Sequence, residues 1–126
     1  MERADLPEPT RSPAYTSIVY YITWDRGTTV KIGTTTNPKS RFAAYGTRGS
    51  LDLLAAHPGG YPEERAQHRR FRHLRISGER ELFHQGIDLV EHIAKVRATW
   101  PNWKQVVNEV AWNAGARHGK SIFSEI

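Results

Sequence analysis

Ser17-Ile-Val-Tyr-Tyr-Ile-Thr-Trp24, then Asp25-Arg26-Gly27, then Thr28-Thr-Val-Lys-Ile-Gly33 is the stretch that decides the fold. The first run is dense in β-branched and aromatic residues, which fit a pleated and half-buried surface. Asp25-Arg26-Gly27 has turn chemistry, so Thr28 to Gly33 reads as the returning strand of an antiparallel hairpin. A two-residue loop at Asp25-Arg26 places Tyr20 opposite Lys31. Any register whose paired numbers sum to an odd value keeps Tyr20, Lys31 and Gly33 on one face, because side chains alternate along a strand.

Working outward, Asn37 suits an N-cap, Pro38 the first helical position and Gly46 the residue past the end, which brackets a two-turn helix over 38–45. Leu51 to Ala56 reads as a third strand, closed by His57-Pro-Gly-Gly60. A second helix starts at Pro62, carries Glu63 and Glu64 near its positive end and runs to Leu74 or Arg75. Ser77-Gly78 breaks it, and Glu81 to His84 is a short extended piece. Ile87 to Ala98 is an amphipathic helix with Ile87, Val90, Ile93 and Ala94 apolar, ended by Trp100-Pro101. A last helix over 102–113 sets Trp103, Val106, Val107, Val110 and Ala111 on one face. The expected fold is therefore of α/β (α+β) class: a small three-stranded antiparallel sheet flanked by helices, with two additional C-terminal helices. Residues 1–14 are expected to be a flexible lead-in, 15–85 the core, 86–115 helices packed on it and 116–126 a basic tail.

The whole chain has 126 residues, which fits one domain. It has no cysteine, which excludes disulfides, thiolate nucleophiles and sulfur-ligated zinc. The polar N-terminus does not read as a signal peptide and no apolar run approaches the ~20 residues of a membrane span, so a cytoplasmic protein without a membrane partner is expected. Lys and Arg number 18 against 13 Asp and Glu, a net charge of +5 that suits a polyanionic partner.

The polar residues concentrate on the second helix. Glu64, His68, Phe71 and Arg75 fall on one helical face, and the interval 65–75 holds five arginines and no acid. One reading is a solvated helix with intrahelical ion pairs. The other is a carboxylate among phosphate-binding cations. The motifs GxxxxGK[ST], GxSxG and HExxH are absent, which removes a nucleoside-triphosphate loop, a serine hydrolase and a zincin.

Ile18-Val-Tyr20, Val30-Lys-Ile-Gly33, Arg41 eight residues on, and a helix with Glu64, His68 and Phe71 followed by Gly78-Glu79 and Phe83 together resemble the GIY-YIG nuclease superfamily. The likeness is to the branch with KIG in place of YIG, and it covers 18–83. Ile18 stands for the first glycine of the motif name, Lys31 for the second tyrosine, and Tyr45 for a histidine common one turn after the arginine. The resemblance implies hydrolysis of DNA phosphodiester bonds with a single divalent cation, Mg²⁺ or Mn²⁺. It implies catalytic roles for Tyr20, Lys31, Arg41 and Glu64. Arg41 would clamp phosphoryl oxygens, Glu64 would hold the metal, and Tyr20 would position the nucleophile or act as base if its pKa falls. Gly33, Arg65, His68, Arg69, Arg72 and Arg75 are expected to contact the DNA. A non-catalytic nucleic-acid-binding module of the same fold is the alternative, and a homodimer remains open as the assembly.

Overall fold

A computed structural model describes residues 15–24, 28–45 and 51–115. The expected turn at Asp25-Arg26, the helix-ending Gly46, the lead-in and the basic tail lie outside the described residues. Two strands open the fold, β1 (Ile18–Thr23) and β2 (Thr29–Thr35). They are followed by α1 (Pro38–Tyr45), β3 (Asp52–Pro58) and α2 (Tyr61–Arg70). A single 3₁₀ turn (Arg72–Leu74), β4 (Leu82–His84), α3 (Ile87–Thr99) and α4 (Trp103–Ala114) complete it.

The sheet is antiparallel with four strands in the order β3-β1-β2-β4, rather than three. The extended piece at Leu82–His84 is its fourth strand, and it pairs with only the first half of β2, from Thr29 to Lys31. Beyond that point the outer edge of β2 meets other partners. The Ile32 N–H donates to the Glu81 carbonyl at 3.0 Å, and His68 Nε2 donates to the Ile32 carbonyl at 2.8 Å. An unpaired edge at the centre of the molecule would leave backbone groups unsatisfied, and these contacts remove that cost. The hairpin register also differs from the expected one. Tyr20 faces Gly33, and Lys31 faces Ile22. The slip is two residues, so Tyr20, Lys31 and Gly33 keep their common face.

Every residue of β1 is buried, because helices cover both sides of it. Ile18, Tyr20 and Ile22 pack with Trp100, Trp103, Val106, Val107 and Val110, which puts α4 and the half-buried Phe42 and Tyr45 of α1 on the first face. Val19 and Tyr21 pack with Val30, Ile32, Phe71, Phe83, Leu89 and Val96 on the second face, against α3 and the end of α2. The buried stripe of α4 is the expected one. That of α3 is not: Leu89, His92 and Val96 are buried, whereas Ile87 and Val90 are exposed. Tyr21 explains the rotation. Its buried hydroxyl lies 3.0 Å from His92 Nε2 and 3.1 Å from His57 Nε2, so the helix turns a histidine inward. His57 therefore belongs to β3 rather than to a closing turn, and α2 ends at Arg70 rather than at 74 or 75.

Between β1 and β3 the register shifts at Tyr21/Ile22, where Tyr21 pairs with Ala55 and Ile22 with Leu53. Leu54 is the extra residue of this bulge, and its carbonyl accepts from Arg97 Nε of α3 at 2.6 Å.

Candidate active site

Gly33 decides where the Tyr20 phenol sits. A Cβ built on Gly33 would lie 2.5 Å from Tyr20 Oη and 2.6 Å from Cζ. The glycine is thus a slot that lets the ring lie flat across β2. Phe42 meets the same ring edge-on at 5.2 Å and 90°. From this slot the hydroxyl emerges toward α1. Arg41 Nη1 donates to Tyr20 Oη at 3.3 Å and to the Thr34 carbonyl at 3.4 Å, while Tyr45 Oη lies 3.1 Å from Tyr20 Oη. Arg41 and Tyr45 are one turn apart on α1, so they present side by side. The helix starts where expected: Asn37 Oδ1 accepts from the Ser40 N–H at 3.3 Å.

Burial pushes the Tyr20 hydroxyl above its ordinary pKa, and its hydrogen bond with Tyr45 pushes in the same direction, with only partial opposition from Arg41. A lowered phenol pKa, the condition for Tyr20 to act as base, is therefore not what this environment produces. Arg41 is raised in turn by its hydrogen bond to Tyr20, so the guanidinium stays charged.

Glu64 is placed by the turn between β3 and α2. Gly59 adopts φ +149°, its N–H donates to the Ser17 carbonyl at 3.1 Å, and its own carbonyl accepts from Ser17 Oγ at 2.7 Å. The Gly60 N–H then donates to Glu63 Oε1 at 2.8 Å, and α2 begins. Gln67 and Phe71 are buried, and Phe71 joins the second-face core. Glu64 is 5% exposed, and desolvation holds its carboxyl above the usual range. His68, Lys31 and Arg41 act against that shift, and Glu81 adds to it. Glu64 therefore feels the charges of β2, α1 and the segment before β4 together.

Glu64 borders a cleft of about 950 Å³ together with Lys31, Tyr45, His68 and Glu81 among others, whereas Tyr20 and Arg41 do not line it and connect to it through Tyr45. Lys31 forms an ion pair with Glu81 and lies over the Tyr45 ring at 5.7 Å from its centre. It therefore engages Glu81 and the second phenol rather than Tyr20. His68, expected on DNA, is committed to the Ile32 carbonyl and packs on Phe83 at 5.2 Å, with Glu64 Oε2 at 3.9 Å. Arg65 and Arg75 line the cleft, while Arg69 and Arg72 are exposed and do not line it. Tyr45, Glu79 and Glu81 also line the cleft, and none is among the residues expected to act, although Tyr45 stands where a histidine is common after the arginine. Glu81 directly precedes Leu82, the β4 partner of Lys31, so only the β2–β4 pairing brings its carboxylate near the ammonium. Among the described residues, no group of three or more His, Asp and Glu is arranged to hold a metal ion, and no helix is long and apolar enough to cross a membrane.

No curated protein and no solved structure matches the chain significantly. Residues 17–104, more than two thirds of the chain, match the T5orf172 domain, and that span contains every residue of the cleft described above. The chain thus belongs to the T5orf172 domain family, which is linked to the GIY-YIG nuclease superfamily.

Proposed function

We propose that this protein is a metal-dependent endonuclease that hydrolyses DNA phosphodiester bonds. The observation that carries the reading is a buried carboxylate, Glu64, sharing one cleft with Lys31 and Tyr45 in a nuclease-linked fold, with Arg41 joined to that cleft through the Tyr20–Tyr45 hydroxyl pair. Arg41 uses Nη1 on Tyr20 and Thr34 and has further guanidinium N–H groups for phosphoryl oxygens. There it stabilises charge as the attack develops. Tyr20 keeps its proton and acts as a positioning hydroxyl, fixed between Arg41 and Tyr45, which leaves proton abstraction to water or another group.

Glu64 fits a hard divalent cation. Burial and Glu81 leave its charge under-compensated, and Mg²⁺ or Mn²⁺ can be bound through one carboxylate while keeping most of its waters. When bound, such a cation supplies positive charge to the phosphodiester oxygens.

A plasmid-nicking assay in Mg²⁺ or Mn²⁺ tests this reading. Glu64→Ala is expected to lose at least about 100-fold in rate, the scale of several kcal/mol of electrostatic stabilisation. Full activity in that variant refutes the role of Glu64. The raised Tyr20 pKa and the engagement of Lys31 by Glu81 favour a second reading, a binding module that no longer cuts. Salt-sensitive DNA binding without nicking by the wild type would select it.

A further inference from the structure

The cleft is larger than a carboxylate and its cation require, and its lining mixes several chemistries. Aromatic side chains (Trp24, Tyr45 and Tyr61) stand with the arginines Arg65, Arg75 and Arg80 and the carboxylates Glu79 and Glu81, and Tyr61 and Arg65 lie one turn apart on α2. Trp24 and Tyr45 are held edge to face at 5.4 Å, and Tyr45 is further fixed by Tyr20 and Lys31. Tyr61 is different. It is 67% exposed at the start of α2, three residues before Glu64. The exposed large hydrophobic residues among those described are Tyr61, Ile87, Val90 and Trp112, and of these Tyr61 alone borders this cleft. A folded chain that leaves one bulky aromatic open to water beside a buried carboxylate and three arginines offers a ring face to something flat and anionic.

The arginines continue beyond the cleft. Arg75 and Arg80 also line an adjoining hollow of about 460 Å³, which Arg72 shares. Arg69 and Arg70 line neither hollow, and Arg70 packs over the Phe71 ring at 5.4 Å. The arginines are therefore divided. Arg65 in the middle of α2 and Arg75 and Arg80 in the segment after it border the cleft, and Arg69 and Arg70 at the C-terminal end of α2 do not.

We propose that the substrate enters the cleft as an unpaired nucleotide, its base stacked on Tyr61 and its neighbouring phosphates held by Arg75 and Arg80. This deepens the nucleic-acid reading above and rests on it. Only an unpaired base exposes a π-face to a protein ring, since in a duplex that face is covered by stacking. A volume of about 950 Å³ lies within the roughly 300–1,000 Å³ of sites that enclose a ligand of nucleotide size. The phosphates on either side of an unpaired base need cations along a track, which Arg75 and Arg80 supply by bordering both hollows.

Anisotropy titrations of a short labelled single strand and its matching duplex test this, with the full chain and a chelator so that binding is read without cleavage. Tyr61→Ala is expected to weaken single-strand binding about 5- to 150-fold and to leave duplex binding within twofold, the scale of one lost base–aromatic stack. Tyr61→Phe should retain wild-type affinity. Replacing Arg75 and Arg80 together with Gln should reduce the slope of log affinity against log salt on the single strand by about 1.4, and Arg70→Gln should leave it unchanged. Wild type that binds both forms, with Tyr61→Ala weakening neither or both equally, overturns the inference and leaves the nucleic-acid reading standing. Wild type that binds neither form overturns both.

Discussion

Gly33→Ala inverts the ordinary expectation for a glycine in a strand. The backbone of Gly33 is not in the left-handed region, so alanine is conformationally acceptable there. On propensity and unfolded-state entropy alone the change would stabilise by about 0.5–1 kcal/mol. The new methyl, however, would meet Tyr20 at 2.5, 2.6 and 3.0 Å, and that ring is fully buried with Phe42 against it. Overpacking of this kind costs about 1–3 kcal/mol, and contacts this short belong at the upper end. The net expectation is a loss of about 1–2 kcal/mol, or roughly 3–8 °C in Tm for a chain of this size. Displacing the ring would also pull the phenol away from Arg41 and Tyr45, so nicking activity should fall together with stability. Urea and thermal unfolding followed by circular dichroism measure the first effect. The decisive arm is Gly33→Ala in a Tyr20→Leu background, where the clashing atoms are gone and the same methyl should now stabilise by about 0.5–1 kcal/mol. A Gly33→Ala protein more stable than wild type, or an equal loss in both backgrounds, would refute the slot.

Tyr20→Phe should fold normally and lose about 10²–10³ in nicking rate, as does removal of one aligned donor elsewhere. Because burial raises the Tyr20 pKa, the wild-type pH–rate profile should have no limb from Tyr20 below its ordinary value near 10; a limb that Tyr20→Phe abolishes at lower pH would contradict the assignment. His92, 2% exposed and with its pKa pushed down to about 3 by burial, should act on stability with a definite sign. The unfolded chain takes up a proton below about 6.5 while the folded one does not, so stability is full above that pH and declines as pH falls from there toward 3. About 2 kcal/mol should be gone by pH 5. His92→Gln, which can still donate to Tyr21, should flatten that decline in urea titrations; an unchanged slope would place the acid sensitivity elsewhere. Asn37→Ala should cost about 1 kcal/mol through the lost cap of α1, read by the same unfolding curves.

The elements that were legible in the sequence are those whose signals are local. The density of β1, the Asn37-Pro38 entry to α1 and the valine stripe of α4 each rest on neighbours in the chain, and each is where the residues put it. What escaped depends on contacts between distant segments. Leu82–His84 is too short to announce a strand and becomes one because the first half of β2 lacks a partner. The apolar count along α3 favoured Ile87 and Val90, whereas the hydroxyl of Tyr21, some seventy residues earlier, draws His92 inward. The run Leu53-Leu54-Ala55-Ala56 shows no alternation because both faces of the sheet are covered there, Leu53 and Ala56 packing on the first and Leu54 and Ala55 on the second. Of the residues the family resemblance singles out, Glu64 lines the cleft, while Tyr20 and Arg41 bond to each other beside it and reach it through Tyr45. The partner of Lys31 was invisible without the β2–β4 register.

The bulge at Leu54 also bears on how the molecule meets copies of itself. β3 is an outer strand of the sheet, and a flat outer strand is a template on which another chain can lay a strand of its own. Here the extra residue kinks that border, and the Arg97 guanidinium already occupies the carbonyl at the kink. An incoming strand would have to expel an arginine and follow a broken ladder, so growth of one sheet into the next is penalised where it would otherwise start. A protein that must stay dispersed at high concentration gains from such a guard, and Arg97→Ala would free that carbonyl while leaving the kink in place.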